Sequence, residues 1–316
     1  MPLIVRNSSK VVYTPNGVEG VVIQFLANGN RMQLLKRVWK VTWRILVFLA
    51  VWTILSAPAI VPVIRKYVPH GGALPLWLRL YIEIVSVVSI LVAAWVMVRF
   101  IDRRLFVSLG FAQGHAFRDS LIGLIIGLGM MTTCVALLYV CGWAKPEASA
   151  AFSGSVLTIA ALAMIANTFT QEIMVRGYVQ QTIQGEFGAV RGVIISAAFF
   201  LALHLGAIQG AILPGVSLFA AGILLGTAYA VSGNLWLPIA LHFGWNFLQG
   251  PVVGGTVSGQ ALDAGWRLFH LAGPPLMTGG DFGIEGGLIA IIVTILGTPL
   301  VILLYRRRGE NELIHG

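Results

Sequence analysis

The sequence predicts an all-α integral membrane protein, an eight-helix transmembrane bundle, and three observations carry that prediction. First, 57% of the 316 residues are hydrophobic and 10% are charged, with a mean hydropathy of +0.86. An ordinary soluble domain carries about 25% charged residues. Second, the apolar residues fall in runs near the ~20 residues needed to cross a hydrocarbon core. Third, the basic residues cluster at the ends of those runs. The net charge is +9, but the cations form no stripe interleaved with aromatics. They read as topology determinants facing anionic headgroups, and the sequence points to no nucleic-acid partner.

Taken in order, residues 1–40 form a mixed polar segment expected on the cytoplasmic side. That is too much polar chain ahead of the first apolar run for a cleavable signal. A single transmembrane domain follows over 41–306, and residues 307–316 form a cytoplasmic tail. The eight expected spans are 42–64, 77–101, 120–142, 155–182, 189–209, 212–231, 235–250 and 284–305. Lys36, Arg37 and Lys40 flank the first, Arg99, Arg103 and Arg104 follow the second, and Arg306, Arg307 and Arg308 follow the eighth. These clusters share one side if both termini are cytoplasmic, which suits an even number of spans in the cell membrane.

Between the spans, residues 105–118 read as a short interfacial piece. Residues 251–283, rich in Gly and Pro and carrying Asp263 and Asp281, read as an outer loop. Small residues four apart at Gly123/Gly127, Gly206/Gly210 and Gly222/Gly226 mark faces where helices can approach closely. Cys134 and Cys141 lie about 10 Å apart along one helix by its 1.5 Å rise, too far for a disulfide.

Of the six histidines, His204 and His242 fall inside spans, while His70, His115, His270 and His315 fall in loops or the tail. Three polar or aromatic pairs occupy the apolar runs: Glu172 with Arg176, Phe200 with His204, and His242 with Asn246. Each pair is four residues apart, so its members share a helix face. Ionisable groups in hydrocarbon are costly unless they pair or serve a function. Glu83, four residues after Arg79, reads as a locally paired structural charge. Glu172 has the same bland reading through Arg176. Hydrolysis asks for more: a carboxylate to take a proton from water, an imidazole to hold that water, and donors for a developing oxyanion. Glu172, His204, and His242 with Asn246 supply those types and are expected to converge on one cavity.

Gln171-Glu-Ile-Met-Val-Arg-Gly-Tyr178 resembles the Glu-Glu-x-x-x-Arg-Gly motif of the CAAX protease and bacteriocin-processing family of intramembrane proteases. Phe200-x-x-x-His204 resembles its second motif, and Asn234-Leu-Trp-Leu-Pro-Ile-Ala-Leu-His242-Phe-Gly-Trp-Asn246 its third. The likeness covers roughly residues 120–250, with the core motifs in 155–250. It implies an eight-helix bundle and an endopeptidase whose site opens from within the bilayer toward the cytoplasm, acting on a membrane-associated protein or peptide.

The chain departs from the pattern at one place, because the leading carboxylate is the amide Gln171, which cannot accept a proton. Two readings follow. In one, Glu172, about 100° round the helix, is the base, Gln171 orients water or the substrate carbonyl, and Arg176 is structural. In the other, the chain is a catalytically weak relative acting as an immunity or binding protein. A small-solute transporter is disfavoured by the lack of inverted repeats. No cofactor is required by the residue types. Zinc stays open, with Glu172, His204 and His242 as its ligands if one is present.

Overall fold

The computed structural model describes residues 19–68, 74–112, 114–147, 153–261 and 266–315, with side chains described from Arg31 to Tyr305. His70, Gln113, Asp263 and residues 1–18 of the expected N-terminal segment lie outside the described residues. So do the side chains of Arg306, Arg307, Arg308 and His315. The chain divides into two compact units, Met1–Arg44 and Ile45–Gly316. The described part of the first unit is helical from Glu19 and exposed along 31–40.

Among the described residues the fold is all-α apart from one two-stranded ribbon. Helix α1 runs Glu19–Tyr67, and α2 runs Leu76–Val96, prolonged to Ile101 by a π turn. Helix α3 is Ala116–Val140. Helix α4, Gly154–Glu172, continues through a π-helical segment, Ile173–Gln180, into α5, Gln181–Phe187. Then come α6 (Ala189–Leu203), α7 (Leu205–Ile208), α8 (Ile212–Ser232), α9 (Trp236–Phe247), α10 (Pro275–Thr278) and α11 (Leu288–His315). Strands β1 (Ala144–Pro146) and β2 (Phe269–Leu271) pair antiparallel, with Lys145 opposite His270.

Among the described residues, six helices are long and apolar enough to cross a membrane: Arg31–Tyr67, Leu76–Ile101, Ala116–Val140, Gly154–Phe187, Ile212–Ser232 and Leu288–Tyr305. The expected fifth and seventh spans contain shorter helices, α6 with 15 residues and α9 with 12. A helix enclosed by other helices need not match the hydrocarbon thickness, because its ends meet protein and not lipid. Most of α9 is buried. On the longer helices, large apolar side chains such as Val140, Ile295 and Leu296 are exposed, as a hydrocarbon solvent allows.

Glycine sets how closely α9 is held. A Cβ at Gly123 would lie 2.4 Å from the Leu237 carbonyl oxygen, and one at Gly127 would lie 2.1 Å from that of Leu241. From the other side, a Cβ at Gly244 would come within 3.0 Å of the Leu124 carbonyl. Helices α3 and α9 therefore touch backbone to backbone. Gly222 does the same between α8 and α6, with Ala197 Cα 2.8 Å from its would-be Cβ. Gly206 and Gly210 differ from expectation: both face open space, because α6 ends before them and no helix packs there.

Two expected loops have definite structure. Residues 105–118 contain a 3-10 turn, Phe106–Leu109, and the start of α3. The 251–283 segment includes β2, α10 and a 3-10 turn, Gly280–Phe282, and folds back on the helices. Gln249 donates to the Thr256 carbonyl at 2.7 Å, and the backbone and hydroxyl of Ser258 both donate to Glu285 Oε1.

Candidate active site

Glu172 ends the regular part of α4, and the π-helical segment after it carries Arg176 on a fully buried stretch. Single π turns inserted in α-helices recur at functional sites. Arg176 Nη1 donates to Glu172 Oε1 at 3.0 Å and Nη2 to the Gly222 carbonyl at 3.2 Å. The guanidinium carbon stands 4.7 Å from the Phe200 ring centre, a cation held over an aromatic face. Arg176 thus ties three helices together, which explains why so costly a group is retained at zero exposure. Gly222 serves this contact indirectly, since its close approach to α6 brings its carbonyl into reach.

Glu172 Oε1 also accepts from His242 Nδ1 at 2.8 Å. The carboxylate is fully buried, and Oε2 has no hydrogen-bond partner among the described residues. With Nδ1 donating to Glu172, the Nε2 of His242 is the nitrogen left for the cavity. His204 caps the end of α6, and its Nδ1 lies 2.8 Å from the Phe200 carbonyl oxygen. A carbonyl can only accept, so Nδ1 carries the proton and Nε2 of neutral His204 is an acceptor. The Phe200 ring is 4.7 Å from the His204 ring and 5.9 Å from that of His242. Phe200 therefore packs against Arg176 and both imidazoles, while Arg176 and His242 also share Glu172 Oε1.

His204, His242 and Asn246 line a single cavity of about 460 Å³, together with Gln171. The four-residue spacing on α9 puts His242 and Asn246 on one face, and the α3–α9 contact aims that face inward. Asn234, just ahead of α9, anchors it. Its Oδ1 accepts from the backbone N–H of Trp236 at 3.0 Å, and its Nδ2 donates to Asp119 Oδ2 at 2.6 Å. Tyr305 of α11 donates to the other oxygen of Asp119 at 2.8 Å. A smaller hollow of about 40 Å³ beside His242 and Asn246 is lined by Ser217, Ser258, Glu285 and Thr294.

The sequence-predicted residues thus meet, with one difference of placement. Glu172 stands behind His242 instead of on the cavity wall. As arranged, Glu172, His204 and His242 do not form a three-ligand metal cradle. Glu172 spends one oxygen on Arg176 and His242, and no cluster of three metal-binding side chains occurs among the described residues.

Glu83 has more than its local charge partner Arg79. Its carboxylate also accepts from Asn167 Nδ2 of α4 at 3.0 Å, and it lines the same cavity. Asn167 and Asn234 were not singled out as site residues. Asn167 lies four residues before Gln171, the same spacing that flagged the other pairs.

Residues 153–248 match the family model for type II CAAX prenyl endopeptidase Rce1-like proteins. That segment holds all three motif pairs. Over that segment, about a third of the chain, the sequence is similar to this endopeptidase family. No curated protein and no solved structure matches the chain.

Proposed function

We propose that this chain is an intramembrane endopeptidase that hydrolyses a peptide bond in a membrane-associated protein or peptide by glutamate-activated water. The observation that carries the reading is the convergence of His204, His242 and Asn246 on one 460 Å³ cavity, with His242 held from behind by Glu172 at 2.8 Å. His204 offers Nε2 as an acceptor for the attacking water. Asn246 Nδ2 and, when His242 is protonated, its Nε2–H are donors suited to the oxyanion of the tetrahedral intermediate. Glu172 acts through His242, keeping Nδ1 as a donor and fixing the ring's orientation, while Arg176 balances the carboxylate's own charge. No step passes through a metal.

In this reading α6 and α9 complete an eight-segment bundle in the cell membrane, with both termini cytoplasmic. The substrate enters within the bilayer. A second reading, a catalytically weak binding or immunity protein, draws on the amide of Gln171 at the cavity wall.

One assay separates the two. The purified chain in liposomes is given quenched-fluorescent peptides anchored by farnesyl-cysteine or by an apolar segment. Cleavage by the native chain and its loss in the double variant His242→Ala/Asn246→Ala support the peptidase. Retention of a peptide without cleavage supports the binder.

A further inference from the structure

A water-activating peptidase needs a group that takes the water's proton, and neither neighbouring residue of the first motif offers one to the cavity. Gln171 is an amide. Glu172 is fully buried behind His242, with one oxygen shared between Arg176 and the imidazole. The cavity that His204, His242 and Asn246 line has a single carboxylate among its described lining residues, and it comes from a different helix: Glu83 of α2.

We propose that Glu83 is the general base of this enzyme, which rests on the peptidase reading above. Three observations converge on it. The first is position, since Glu83 shares the cavity wall with both imidazoles and with Gln171.

The second is the hydrogen-bond relay that holds it. Gln171 Nε2 donates to Asn167 Oδ1 at 2.9 Å, and Asn167 Nδ2 donates to Glu83 Oε1 at 3.0 Å. An amide at 171 suits this relay because it supplies the donor that turns the Asn167 amine toward Glu83. An ionised carboxylate at 171 has no donor to give. The amide at 171 and the acid at 83 are thus two ends of one arrangement, with the carboxylate on α2 instead of α4.

The third is charge. Phe200 gathers Arg176, His204 and His242 around one ring, so a proton arriving on His204 would add positive charge beside a guanidinium in hydrocarbon. A proton arriving on Glu83 meets an existing negative charge, which Arg79 faces on the same cavity wall.

The step balances. Water's O–H bond breaks as its proton passes to a Glu83 carboxylate oxygen, and the water oxygen bonds to the scissile carbonyl carbon. The carbonyl's π pair moves to its oxygen, which meets Asn246 and His242. As that pair returns, the C–N bond breaks and Glu83 passes its proton to the departing nitrogen. The products are a carboxylic acid and an amine, and Glu83 is again ionised.

The test measures kcat and KM on the liposome peptides for the native chain, Glu83→Gln and Glu83→Gln/Gln171→Glu, with thermal melting as a check on folding. Loss of a positioned base is typically worth about 10²–10⁴-fold. Glu83→Gln should therefore lower kcat by at least about 100-fold with KM little changed, and adding Gln171→Glu should recover at least about tenfold of the loss. Should Glu83→Gln fail to fold, Glu83→Asp carries the test, with kcat expected to fall at least about tenfold at unchanged KM. A folded Glu83→Gln, or in that case a folded Glu83→Asp, that turns over at the native rate would overturn Glu83 as the base and leave the peptidase standing. A native chain that cleaves nothing would overturn the peptidase reading and this inference with it.

Discussion

Glu172 and Arg176 form a buried ion pair that also holds His242, and its energetics separate stability from catalysis. Removing one partner of a buried ion pair leaves an uncompensated charge and costs about 3–5 kcal/mol, whereas removing both can be nearly neutral. Glu172→Gln should therefore lower the melting temperature strongly and reduce kcat, because His242 also loses its charged partner. In Glu172→Gln/Arg176→Met the melting temperature should largely recover while kcat stays low. Thermal melts and turnover on the four corners of this cycle check the claim, and recovery of both together would make Glu172 merely structural. Arg176→Lys should mainly reduce folded yield. An ammonium cannot reach Glu172 and the Gly222 carbonyl as the fork does, at 3.0 and 3.2 Å, nor stack as well on Phe200. A stable but inactive Arg176→Lys would point instead to contact with the substrate.

At the scale of elements, glycine decides whether α9 can present His242 and Asn246. A Cβ at Gly127 would lie 2.1 Å from the Leu241 carbonyl, and backbone cannot step aside. Gly127→Ala should cost about 1–3 kcal/mol by overpacking and lower activity with it. Gly206→Ala, which meets nothing within 4 Å, should leave the melting temperature within about 0.5 kcal/mol of native. Equal melting temperatures for the two variants would contradict the α3–α9 contact.

The contrast also shows what the sequence can and cannot say. Gly123/Gly127 and Gly206/Gly210 have the same spacing, and only the neighbouring helix distinguishes them. Pairs within one helix, such as Glu172 with Arg176, are legible because spacing alone brings them together. The bond from Asn167 to Glu83 joins residues 84 positions apart, and no periodicity reports it. Arg79 was a nearer candidate partner for Glu83 by spacing, so the carboxylate read as locally paired. Likewise α9 reads as a full span from hydropathy, since a short helix enclosed by protein is as apolar as one in lipid.

For the whole molecule, the proposed topology counts α6 and α9 as crossings beside the six long helices of the described residues and puts both ends on the cytoplasmic side. Single cysteines introduced at residue 311 in a background lacking Cys134 and Cys141 should react in intact cells only with membrane-permeant reagents. Labelling from outside would reverse the proposed topology. The central claim is that this bundle encloses a site where water cleaves a peptide bond. Cleavage of the anchored peptide in H₂¹⁸O, read by mass spectrometry, tests it most directly. The native chain should yield a new C-terminal carboxylate carrying one ¹⁸O atom, and His242→Ala should yield none. Intact peptide from the native chain, or equal ¹⁸O incorporation by His242→Ala, would contradict the account.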